Sequence, residues 1–112
     1  MAYEQLKNKK LSELQRNRLN AIYCRLSNGI ATKEELMRLI GVNDERVVRD
    51  CISIIKKRFP VISLSGKKGY RIAKSIEDLE DAKHMIASEK SRANEVLNGI
   101  PALENFVAAM EA

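Results

Sequence analysis

The sequence predicts a mainly α-helical chain with one small β-hairpin, divided into a domain over residues 11–74 and a helical tail over residues 75–112. Three observations predict it. Apolar residues recur at helical spacing in three successive stretches, each closed by glycine or proline. The run Val61-Ile62-Ser63-Leu64-Ser65, alternating or β-branched, is followed by the turn Gly66-Lys67-Lys68-Gly69 and a second extended run, Tyr70-Arg71-Ile72-Ala73. The charge also divides near Ser75: residues 1–74 hold 17 Lys and Arg against 7 Asp and Glu, and residues 75–112 hold 3 against 8.

The first helix is expected over residues 11–26, where Leu19, Ile22 and Leu26 share a stripe flanked by Leu11, Leu14 and Tyr23. Asn28-Gly29 ends it, and Ile30-Ala31 leaves room only for a short extended piece. Thr32-Lys33-Glu34-Glu35 reads as a capping box in which the Thr32 hydroxyl and the Glu35 carboxylate satisfy each other's backbone donors. Leu36, Leu39 and Ile40, widened by Met37, supply the apolar face of this second helix, and Gly41 breaks it. Asn43 is expected to cap a third helix over residues 44–58. Val47, Cys51, Ile54 and Arg58 share one of its stripes, and Val48, Ile52 and Ile55 form a second. Pro60 prevents continuation.

In the tail, Ser75 caps a helix with Asp78 as the acid of a capping box, and Gly99-Ile100-Pro101 interrupts it near residue 98. A last helix starts at Pro101. Leu79, Ile86, Ala93, Ile100 and Val107 recur every seven residues, and Ala82, Glu89, Val96, Leu103 and Met110 do so three positions later. That is the a/d pattern of helices that pair, with Glu89 as a charged intruder. The seam predicts a homodimer formed through Leu79, Ala82, Ile86, Ala93 and Val96; packing of the tail over Val48, Ile52 and Ile55 of its own domain is the alternative.

Several function classes find no support. No apolar run approaches the ~20 residues of a membrane span, and residues 1–10 lack the apolar core of a signal peptide, so the expected location is the cytoplasm. Cys24 and Cys51 are too few for a zinc site and read as core thiols on apolar helix faces. His84, with Glu80 one turn before it, makes too weak a metal site to predict one. No nucleophile–base set or phosphate-cradling glycine loop is present, so neither catalysis nor a cofactor is expected.

Two short helices joined by Gly41-Val42-Asn43, then a hairpin, set one helix out for a groove and a basic turn beside it. In this order Thr32-x-x-Glu35-Leu36, Gly41-Val42-Asn43, Val47-x-Arg49-Asp50-Cys51 with Ile54, and Gly66-Lys67-Lys68-Gly69-Tyr70-Arg71-Ile72 resemble the winged helix-turn-helix domains of DeoR-like regulators and biotin-repressor-like proteins. The combination with a helical tail resembles small phage- or prophage-borne members. The resemblance covers residues 11–74 and implies a wing at the hairpin, binding of double-stranded DNA, and a regulatory role. Asn43 stands where that family usually has Ser, Val48 where Arg is common, and Cys51 where Leu or Ile is common.

On this reading Asn43 lies at the start of the reading helix, and Arg46 and Arg49 face the major groove one turn apart. Lys67 and Lys68, with Arg71 beside them, are the expected phosphate contacts of the wing. Glu45 is expected to pair with Arg49, four residues on. A winged-helix module that binds protein and no nucleic acid is the rival, favoured by the second apolar stripe of the third helix.

Overall fold

A computed structural model describes residues 12–63 and 69–112. Three helices, α1 (Glu13–Ser27), α2 (Lys33–Ile40) and α3 (Glu45–Ile55), are followed by β1 (Val61–Ile62), β2 (Arg71–Ile72), a 3₁₀ turn (Ile76–Asp78) and a long helix, α4 (Leu79–Glu111). The chain is therefore mainly helical with a small antiparallel hairpin and a helical tail. Leu19, Ile22 and Leu26 of α1, Leu36 of α2, and Val48, Cys51, Ile52 and Ile55 of α3 fill the core, closed by Ala31 and Val61. The two stripes expected on α3 are not equivalent. Val48, Ile52 and Ile55 face inward with Cys51, and Val47 and Ile54 lie half-buried at the flank.

Each junction has a local cause. Ser12 caps α1 through a reciprocal box: Gln15 N donates to Ser12 Oγ (3.1 Å) and Ser12 N donates to Gln15 Oε1 (3.0 Å). The box expected at Thr32 forms by half. Glu35 N donates to Thr32 Oγ1 at 3.1 Å, and the Glu35 carboxylate is shared, Oε1 accepting from the Thr32 hydroxyl at 3.3 Å and Oε2 from Arg25 Nη2 at 2.9 Å. A guanidinium is a stronger partner for a carboxylate than a backbone N–H. Arg25 also donates to the carbonyls of Gly29 (3.3 Å) and Ile30 (3.0 Å), tying the end of α1 to the start of α2.

Gly41 takes the left-handed conformation (φ 69°, ψ 40°), with Gly41 N bonded to Arg38 O and Val42 N to Met37 O. This is the Schellman pair of bonds, and it turns the chain sharply toward α3. Asp44, not Asn43, caps α3, its Oδ1 accepting from Arg46 N at 2.9 Å. The helix ends at Ile55 rather than residue 58: Lys57 N and Arg58 N bond three residues back, a tightened turn before Pro60 disallows helical backbone at Phe59. Phe59 stacks on Tyr23 of α1, ring centroids 4.3 Å apart. Leu14 and Leu39 lie exposed at the rim, and Cys24, one residue past Tyr23, is exposed instead of buried because α1 turns it away from the Leu19–Ile22–Leu26 stripe.

In the hairpin, Val61 pairs with Ile72 and Ile62 with Arg71. The extended piece at Ala31 bridges Tyr70 on the other side, Ala31 N to Tyr70 O at 3.0 Å and Tyr70 N to Ala31 O at 2.8 Å. The link between α1 and α2 is thus pinned to the hairpin.

The tail departs most from expectation. Gly99-Ile100-Pro101 does not interrupt it; α4 runs unbroken from Leu79 to Glu111, about 50 Å at 1.5 Å per residue. Pro101 removes one N–H, and because this stretch is fully exposed, water can satisfy the carbonyl one turn back. Ser75 makes no side-chain cap, and Asp78 is drawn instead to Lys74 N (2.8 Å) and Arg71 Nε (3.1 Å). The first half of α4 rests on β1, with Ala82, Met85 and Glu89 half-buried and Ser63 N donating to Met85 Sδ at 3.4 Å. It does not cover Val48, Ile52 and Ile55, which are already enclosed by the domain itself.

Candidate functional site

The outer face of α3 is polar and basic because its inner face is consumed by the core. Arg46 and Arg49 are both exposed on it, at the end nearest the Gly41 turn. Asn43 lies exposed in that turn. Glu45 has two cationic neighbours. Lys33 Nζ of α2 approaches Oε2 at 2.6 Å, and the expected Arg49 contact is the looser one, at 3.7 Å. The Lys33 hydrogen bond holds the Glu45 carboxyl below the usual carboxylate range, and Glu45 in turn raises Lys33. Lys33 thereby neutralises Glu45, one of the two acids at the start of α3 beside the capping Asp44, and leaves Arg49 only loosely engaged. Among the described residues Arg46 has no carboxylate partner. No sequence signal pointed to Lys33, because it and Glu45 lie on different helices brought together by the Gly41 turn.

Lys67 and Lys68 fall outside the described residues. Arg71 is described, and its guanidinium is already committed. Nε lies 3.1 Å from Asp78 and Nη2 2.5 Å from Asp81, with the side chain about one quarter exposed. Asp81 before all, then Asp78, raise the Arg71 pKa, while the Lys74 backbone and Arg71 lower that of Asp78. Arg71 fixes the hairpin to the start of α4. Lys74 Nζ adds a contact to the carbonyl of Ser27.

The other sequence-marked residues divide by face. Of the seam, Ala82 and Glu89 face the domain, where Glu89 pairs with Lys56 (3.4 Å) and Arg92 (2.9 Å). Leu79, Ile86, Ala93 and Val96 are exposed, and past Lys90 every residue of α4 is exposed, including Val96, Leu103 and Met110 at about 70% of their surface. The tail helix leaves an apolar stripe with nothing on it. His84 is exposed, and Glu80 pairs with Lys83 (3.7 Å). Among the described residues no three His, Cys, Asp or Glu gather to hold a metal, and no helix is long and apolar enough to cross a membrane.

Comparison with protein-family models, curated proteins and solved structures finds no match to this chain.

Proposed function

We propose that the protein binds double-stranded DNA in the manner of a winged helix-turn-helix regulator, with α3 in the major groove and the hairpin lysines on adjacent phosphates. The observation that carries this reading is Arg46: an arginine with no carboxylate partner among the described residues, exposed on the outer face of α3 just after a tight turn, one turn from Arg49. An arginine fork in that position suits guanine O6/N7. The charge supports it, since residues 1–74 carry a net +10 and each neutralised phosphate releases counterions. The second stripe of α3, which favoured a protein-binding module, is spent on the core. The exposed stripe of α4 makes the protein a homodimer, so that two copies of α3 meet one site.

Gel shift of the whole chain on a random duplex, at rising salt, tests the reading. A steeply salt-dependent complex is expected, and no complex at low salt refutes the proposal. Once a preferred site has been selected from a random pool, Arg46→Ala or Arg49→Ala is expected to cost ~1–3 kcal/mol there and less on random DNA. Replacing Lys67 and Lys68 together with Ala should weaken all sequences alike and reduce the salt slope by roughly 1.8.

A further inference from the structure

We propose that α4 pairs with α4 of a second copy in antiparallel orientation, centred near Leu97, each helix laying its acidic end against the lysine-bearing start of the other. This deepens the dimer reading above and rests on it, but not on DNA binding. The stripe that needs a cover is continuous because α4 is continuous: Ala93, Val96, Ile100, Leu103, Val107 and Met110 stay on one side, all exposed. It prolongs the face that Ala82, Met85 and Glu89 press onto β1, and none of the described residues outside α4 covers it.

A second copy is the occupant because the helix is complementary to itself in only one direction. Lys83, Lys90, Leu97, Glu104 and Glu111 follow one another every seven residues and so form a single row beside the stripe. Read along the helix, that row is Lys, Lys, Leu, Glu, Glu. A copy turned end for end about Leu97 sets Lys90 against the second copy's Glu104 and Lys83 against its Glu111, with leucine on leucine at the centre. Antiparallel helices juxtapose equivalent flanking rows, so the match is made on the row itself. In a parallel pair this row would instead face Asp78, Met85, Arg92, Gly99 and Phe106 of the other helix, where the one acid, Asp78, is already held by Arg71 and Lys74 N. Among the described residues, Lys90, Glu104 and Glu111 have no ion-pair partner within the chain, and Lys83 has only a loose one in Glu80. Glu89, the charged intruder of the seam, is neutralised by Lys56 and Arg92 and lies against its own domain. The same antiparallel pairing carries the second copy's Val107 and Met110 toward Ile86, at an apolar groove of about 480 Å³ beneath Lys56, Lys57 and Lys90.

Sedimentation equilibrium of the full chain and three variants tests the proposal: Lys90→Glu, Glu104→Lys, and the two combined. All are exposed, and circular dichroism checks that helicity is kept. Each single change is expected to raise the dimer dissociation constant about tenfold, because two symmetry-related pairs become repulsions. The double variant is expected to return to within about twofold of the parent, since an antiparallel pair restores both contacts with their signs exchanged. Failure of the double variant to recover, or single variants as tight as the parent, overturns the orientation. A parent chain that is monomeric at ~100 μM overturns the dimer itself. DNA shift assays on the same samples report separately on the binding proposal.

Discussion

Gly69 stands where the backbone has no room for a side chain. Its φ is 102°, and a Cβ there would lie 2.6 Å from the Ala31 carbonyl oxygen, the atom that accepts from Tyr70 N. Gly69→Ala is therefore expected to open the bridge between Ala31 and the hairpin and to lose ~1–3 kcal/mol in denaturant unfolding. Gly29→Ala is the control, since it carries backbone strain (φ 134°) without any neighbour within 4 Å. Equal losses at the two sites would show that the close approach is not what selects Gly69. The sequence marks Gly69 as a turn residue, but its decisive neighbour, Ala31, is adjacent only in space and far away along the chain, beyond the reach of local pattern. Arg71 has partners that lie beyond local pattern for a related reason. Its position beside the hairpin lysines reads as a phosphate contact, and the two carboxylates that hold it belong to the tail. Cys24 shows the opposite limit: helical phase alone excludes it from the core once Leu19, Ile22 and Leu26 are taken as the centre of the face.

At the level of elements, the boundaries were legible wherever glycine, proline or a capping side chain fixed them, as at Asn28-Gly29, Thr32, Gly41 and Pro60. They were misread where charged groups compete for a cap. Glu35 and Asp78 are each divided between backbone donors and an arginine, Glu35 taking Arg25 and Asp78 taking Arg71. The junction between hairpin and tail depends on that second choice, which gives it a pH dependence. The Asp78 carboxyl sits below its ordinary range because the Lys74 N–H and Arg71 favour its charged form. A lowered folded-state value contributes stability that is complete above the unfolded carboxylate range and is lost as pH falls through the lower, folded value. Glu35, held low by Arg25, and Glu45, held low by Lys33, act in the same direction. The melting temperature of the parent is thus expected to fall as the medium is acidified below roughly pH 4. Asp78→Asn should be less stable at neutral pH and show a shallower acid decline; a decline of unchanged steepness would remove Asp78 from the coupling. The tail itself was misread at Pro101, because the rule that proline ends helices assumes that the carbonyl it strands is hard to satisfy, and α4 is bathed in solvent there.

For the whole molecule, the division of charge near residue 75 was legible by counting, since net charge adds without reference to geometry. Helix–helix–helix–hairpin order was legible too, because each element carries its own periodicity. What no count could supply is the continuity of α4 through Gly99-Ile100-Pro101. With the antiparallel centre near residue 97, the two copies of Leu79 lie about 54 Å apart at 1.5 Å per residue. On the proposed pairing the two three-helix domains sit toward opposite ends of the helix pair, at a spacing greater than the ~34 Å that separates half-sites on successive turns of DNA. Sites selected from a random pool are expected to show half-sites spaced by more than one turn, and enrichment of half-sites one turn apart would contradict that spacing. A break at Gly99-Ile100-Pro101 would have left a hinge between the two ends of the proposed pair; the unbroken α4 ties them to one helix length.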